Sequence, residues 1–329
     1  MVQPEADVLF EVSKLFQNHS NLTIAMKHLL IYCCLLCGIF SLQLSAQTTD
    51  SLLIISPGLS PSVVSHGRFE VALFNQLSTE KRYTQFDSIS STARFTSLYH
   101  VLQAGYGVDK YNRLNLGASL IFAHTRSDGD PNSSPLAVLG GNDLYSVGFH
   151  KMAAVGLYAR GIPFRKLPEL TIQAGVFFPA TNDLIARSFS GYDRTLTQLQ
   201  FSFYQQFSPL FYLFATAETN VLFSNKNRKQ TSVALPVSLY PVVRLGYYSS
   251  TYLFGNLGYN GQFNKVEPGF LKSNGYRLQC GLGAQHYFNR DFSVYLQLQF
   301  PVAIGTKSTT TTTLKKGAFT LALGARYVI

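Results

Sequence analysis

From about residue 67 onward, apolar side chains recur at every second position, with polar or small residues between them. In "RLNLGASLIF", Leu114, Leu116, Ala118, Leu120 and Phe122 alternate with Asn115, Gly117 and Ser119. In "LTIQAGVF", Leu170, Ile172, Ala174 and Val176 alternate with Thr171, Gln173 and Gly175. "YRLQCGLGAQHYF" and "SVYLQLQF" repeat the pattern and place Cys280 on the apolar face. The charge-free run Thr195–Ala217 is long enough for a membrane helix, but Gln198, Gln200, Gln205, Gln206 and Pro209 would surround that helix with polar groups. At period two it resolves into Leu199, Phe201 and Phe203 on one face and Gln198, Gln200, Ser202 and Tyr204 on the other. Strict alternation is the signal of a half-buried strand. It predicts about twelve strands, near 67–78, 93–109, 112–124, 145–162, 168–179, 195–208, 210–224, 232–248, 251–265, 275–289, 292–305 and 317–329.

Several of these runs are long for a soluble strand and match the length that crosses a bilayer at a tilt. The links at 110–112, 164–168, 208–210, 249–251 and 289–291 are tight. Those at 124–145, 182–194, 225–230, 265–274 and 305–317 are longer and polar. Short turns on one side and long loops on the other predict an all-β fold, a transmembrane antiparallel β-barrel. Its N- and C-termini would be periplasmic, with short periplasmic turns and longer extracellular loops. The backbone in lipid has no water to bond, so the sheet must close on itself.

The last stretch, "AFTLALGARYVI", alternates through Phe319, Leu321, Leu323, Ala325 and Tyr327 to Ile329. With the opening "GRFEVALFN", it makes the chain resemble Gram-negative outer-membrane β-barrel proteins over roughly residues 66–329. The resemblance implies residence in the cell outer membrane, contact with outer-membrane lipid and lipopolysaccharide, and recognition of the terminal strand 317–329 by the barrel-assembly machinery. The final residue is Ile where that family usually ends in Phe. No transporter subfamily with a known ligand is matched.

Upstream, Lys27 precedes the apolar run Leu29–Ile39, and the small pair Ser45 and Ala46 follows. That order predicts a signal peptide over 26–46, cut between Ala46 and Gln47, although Leu44 is large for its place. Cys33, Cys34 and Cys37 lie inside it, without the paired spacing of a zinc site or the helix start of a redox motif. Residues 1–25 carry Glu5, Asp7 and Glu11 against Lys14, which no basic leader does, and read as a gene-model extension before Met26. Residues 47–66 would be a periplasmic segment and 67–329 the barrel. Cys280 alone would remain after cleavage, so no internal disulfide is expected.

Only 13% of the chain is charged and 14% is aromatic, with a net charge of +10. The basic excess is spread over several loops, at Lys226, Arg228, Lys229, Lys315 and Lys316, which argues against nucleic acid and suits lipopolysaccharide phosphates. Period two sends Arg160, Arg244, Arg277, Arg326, Glu70 and Glu218 to the inside. Gln103, Gln173, Gln200, Gln279, Gln285, Gln297 and Gln299 join them. This lining fits a narrow pore for small polar or anionic solutes. It fits equally a lumen filled by side chains, in a structural barrel that meets a partner through its outer loops. Glu70 and Arg326 lie near the same end of the first and last strands, which predicts a salt bridge across the closing seam.

A lipid hydrolase would need a Ser–His pair at the outer rim. His100 and His124, with Ser97 and Ser127 nearby, are the candidates, but no hydrolase motif surrounds them, so no catalytic residue is assigned. His286 reads as a rim residue. "DGD" at 128–130 and Asp143 lack the remaining oxygen ligands of a calcium loop, and no metal or cofactor is expected. Tyr106, Phe122, Tyr247 and Phe288 suit aromatic girdles.

Overall fold

A computed structural model of the chain describes residues 63–86, 89–140, 146–183, 190–224, 230–247, 249–265, 271–306 and 312–329. The expected extension, the signal peptide with its cut at Ala46 and Gln47, and most of 47–66 lie outside these residues. The described chain forms strands β1 (Phe69–Phe86), β2 (Ile89–Gly107), β3 (Leu114–Asp128), β4 (Ser146–Gly161), β5 (Leu170–Pro179) and β6 (Leu196–Gln206). It continues with β7 (Phe211–Leu222), β8 (Thr231–Arg244), β9 (Thr251–Lys265), β10 (Leu271–Tyr287), β11 (Phe292–Thr306) and β12 (Thr312–Val328). Each strand pairs antiparallel with its sequence neighbours, and β12 returns to β1, giving a closed barrel. Closure gives every strand a neighbour on both sides, so the sheet has no edge strand to expose its N–H and C=O groups to lipid. The seam runs from Glu70↔Val328 to Gln85↔Thr312. Phe69 and Ile329 tie its end through paired backbone bonds of 3.0 and 2.8 Å, so the barrel begins and finishes at one end, here the terminal end.

The strands run further than alternation alone suggested. β1 reaches Phe86 and β2 starts at Ile89, replacing the expected gap between 78 and 93 with a tight hairpin. The expected links 265–274 and 305–317 shorten to 266–270 and 307–311. Ladder hydrogen bonds do not need apolar side chains, so pairing continues past the height where the outer face stops being greasy. The long links that remain, 129–145 and 180–195, are both at the far end. The link 129–145 contains a short 3-10 helix at Pro135–Leu139.

The outer face is apolar: Leu116, Phe201 and Leu296 are 48%, 39% and 49% exposed, while their neighbours Asn115, Gln200 and Gln297 are buried. Among the described residues no helix is long and apolar enough to cross a membrane. The belt of outward Leu, Val and Phe is therefore carried by strands. Aromatic pairs ring the terminal end, with Phe69 against Tyr106 at 4.6 Å and Phe288 against Phe292 at 5.2 Å. Such girdles sit at the membrane–water boundary. Inside, glycines make room for rings on the adjacent strand. A Cβ on Gly117 would overlap Tyr158, and one on Gly324 would overlap Tyr295.

Candidate functional site

The inward residues form layers. Near the terminal end, Glu70 of β1 accepts bonds from Arg326 of β12, at 2.8 Å from Nε and 2.7 Å from Nη2. This is the pair that the sequence placed across the seam. Arg326 faces Ala72 in the register, so the bridge is diagonal. Arg160 of β4 reaches the same carboxylate at 3.3 Å, and its Nε donates to Gln173 of β5 at 2.8 Å. Its guanidinium also lies 5.6 Å from the Tyr158 ring centre. Glu70 is 3% exposed and Arg160 5%, while Arg326 is half-buried, so one deep carboxylate serves two guanidinium groups. That arrangement is tolerable only because each charge meets an opposite one or a hydrogen-bond partner.

The other predicted lumen residues are dispersed. Glu218 of β7 accepts from Gln198 at 3.2 Å and Asn220 at 3.4 Å, beside buried Gln200. Arg244 bends to the terminal mouth, where Nε donates to the Ser249 carbonyl at 2.6 Å over the Tyr252 ring. The Nε of Arg277 is buried without a hydrogen-bond partner, as are Gln103 Oε1 and Gln297 Nε2. Gln285 donates to the Tyr287 hydroxyl at 3.2 Å. Gln279 covers Gly258, and Gln299 covers Gly281. These groups line the wall all round and do not converge on one point.

Between the polar groups lies material that the sequence reading left out. One buried cluster joins Phe74, Tyr99, Val101, Ile121, Ala154, Phe177 and Tyr295. A second joins Tyr212, Phe214, Tyr240, Val242 and Phe254. These rings occupy the inward phase of the alternation. Tyrosine is amphipathic, so in sequence Tyr99, Tyr158, Tyr240 and Tyr295 pass as girdle or polar positions. The available signal was their phase: each stands one residue out of step with the apolar series of its strand.

The β5–β6 link adds to the filling. Expected as an outer loop, its segment 190–194 turns inward. Tyr192 joins the first cluster, and the Tyr99 hydroxyl donates to the Ser190 carbonyl at 3.0 Å. Asp193 and Arg194 pair at 3.1 Å, and Arg194 also bonds the Gln230 carbonyl. Lys151 and Asp183 pair at 2.7 Å at the same mouth. Burying Tyr192 on apolar lumen walls favours the inward position. A cavity of about 10 Å³ remains between Thr125, Phe149, Lys151, Thr181 and Ser190, room for roughly one water molecule.

On the outside, residues 129–140 of the β3–β4 link lie against the wall of β1–β3. Lys81 bonds Asn132 at 2.9 Å, Arg94 bonds the Pro131 carbonyl at 3.3 Å, and Val138 is fully buried. Asp128 is taken by Arg126 at 2.6 Å and Ser133 at 3.0 Å, and Asp130 caps its own turn. Asp143 lies outside the described residues. Among the described residues no three His, Cys, Asp or Glu converge into a metal cage. Below the link, His100, His124 and His150 stand in a row on the outer face. Ser97 is 1% exposed and, with Ser127, has the inward phase, so the wall separates these serines from the histidines. His286 bonds Thr251 at 2.8 Å near the terminal end.

A closed antiparallel barrel with a lipid-matched belt and a packed polar interior defines a membrane-spanning β-barrel. Its fold is that of the outer-membrane β-barrel proteins. An outer membrane channel from Pseudomonas putida F1 superposes with a TM-score of 0.59 at 16% identity, over 84% of this chain and 100% of that one. The β domain of the Bordetella autotransporter BrkA aligns at 0.45 and 12% identity, over 78% and 100%. The transport unit of the autotransporter AIDA-I from Escherichia coli aligns at 0.45 and 10%, over 84% and 94%. No known protein-family profile matches the chain, and no curated protein does.

Proposed function

We propose that this chain is an outer-membrane barrel whose lumen is closed to hydrated solutes and whose far end makes its functional contacts. One observation carries the reading: Tyr99, Asn115, Asn220 and Asn256 are 1–2% exposed. They stand on β2, β3, β7 and β9, on both sides of the lumen. A water-filled pore would wet such residues. In this reading the terminal end faces the periplasm, and the far end, with the 129–145 and 180–195 links, faces outward toward lipopolysaccharide or a partner. Strand 317–329 serves assembly.

Planar-bilayer recording tests it. The folded, tag-free barrel is expected to give no steady conductance. Steady anion-biased current would overturn the reading in favour of a narrow pore for small polar or anionic solutes. That second reading has its own support in the inward set Arg160, Arg244, Arg277 and Arg326, which would repel cations. The neighbour from Pseudomonas putida is named a channel, but at 16% identity the likeness speaks for the fold alone. A lipid hydrolase has less behind it, since Ser97 and Ser127 have the inward phase and His100 and His124 the outward one.

A further inference from the structure

The outer face of β1–β4 carries Asn75, His100, His124 and His150 in one row at the upper edge of the apolar belt, just below the 129–140 segment. Hydrogen bonds assign the protons along this row. Asn75 Nδ2 donates to the Leu323 carbonyl at 3.4 Å, which turns its Oδ1 toward His100. His100 Nδ1 therefore donates to that oxygen at 2.6 Å. At the other end, His150 Nε2 donates to the Gly140 carbonyl at 3.1 Å. The Nδ1 of neutral His150 is then bare, and it accepts from His124 Nδ1 at 2.7 Å. A neutral imidazole carries one ring proton. With both protons placed on Nδ1, the Nε2 atoms of His100 and His124 are left as lone pairs.

The two rings suit one ion. Their centres are 5.1 Å apart and their planes meet at 86°. Two imidazoles on one tetrahedral zinc, each nitrogen at roughly 2.0–2.1 Å, hold their ring centres roughly 5 Å apart. Each ring is also oriented through its other nitrogen by a chain that ends on an oxygen, which is how metal-binding histidines are normally held. We propose that His100 and His124 form a two-imidazole site for a borderline divalent transition ion, Zn²⁺ being the reference case. It would lie on the outer wall at the far end. Asn75 and His150 are positioning residues. No third His, Cys, Asp or Glu converges there among the described residues, so water completes the coordination.

The test uses the tag-free barrel folded in detergent micelles. Zn²⁺ titration by calorimetry reads affinity and stoichiometry, and Cu²⁺ paramagnetic resonance counts bound imidazole nitrogens. The expected result is one ion per barrel with two nitrogens. His100→Ala or His124→Ala weakens binding by about tenfold or more and leaves one nitrogen. Asn75→Ala or His150→Ala weakens it less and keeps two nitrogens, which a direct ligand would not do. His66→Ala and His286→Ala leave binding unchanged. Folding is checked by heat-modifiable gel mobility, with His100→Gln and His124→Gln replacing any alanine variant that fails it. The proposal is overturned if the native barrel takes up no ion, or if binding survives loss of both His100 and His124.

Discussion

The two faces of the wall β1–β4 are built from the same strands and obey opposite rules. Indoors, polar groups sit deep and are held by partners, as Glu70 is by Arg160 and Arg326. Outdoors, polar groups wait until the hydrocarbon ends. Leu73, Leu102, Phe122 and Met152 give way to Asn75, His100, His124 and His150 at the next outward step. The difference teaches that depth in the membrane, more than burial, decides where charge is tolerable. A buried charge survives beside a counter-charge, whereas one on the lipid face has nothing to pair with.

The strongest way to break the inner rule is Glu70→Ala. It takes the shared carboxylate from buried Arg160 and half-buried Arg326, and the expected loss is about 3–5 kcal/mol, read as a lower urea midpoint of the barrel in micelles. The outer rule breaks with Leu296→Arg, which puts a charge in the belt; about 2–4 kcal/mol is expected at the midplane, measured the same way. The contrast sharpens with Leu114→Arg, an exposed outward position at the first residue of β3, at the terminal end. There the loss should fall to about 0–1 kcal/mol, and an equal loss at both sites would remove the depth argument. Gly324→Ala tests packing without charge: its Cβ meets the Tyr295 ring, and about 1–3 kcal/mol of strain is expected, with a lowered thermal midpoint. Smallest is Tyr99→Phe, which removes the hydroxyl's bond to the Ser190 carbonyl for about 0.5–1.5 kcal/mol and should raise proteolysis at 190–194.

Much of this was legible in the residues. The phase of Leu116, Phe201 and Leu296 against Asn115, Gln200 and Gln297 identified both faces, because a strand alternates its side chains whatever surrounds it. The Glu70–Arg326 pair followed from parity and from the need of the end strands to meet. The lumen contents were harder to see. Tyr99 and Tyr295 are apolar to their neighbours and polar at their tips, so their letter does not say which role they take. Arg160 reaches Glu70 across β2 and β3, and no local pattern encodes that contact. The histidine row was split in sequence, with His150 unmarked, because a ladder across strands has no spacing along the chain.

The order of strands, the inward and outward faces, and the antiparallel neighbours were determined by the sequence alone, since short links and period two leave few other solutions. Tertiary structure decided how the ring is filled and which polar groups meet. Strand tilt and register bring together residues far apart in the chain, and closure converts one polar face into an interior where rings, arginines and a loop compete for the same volume.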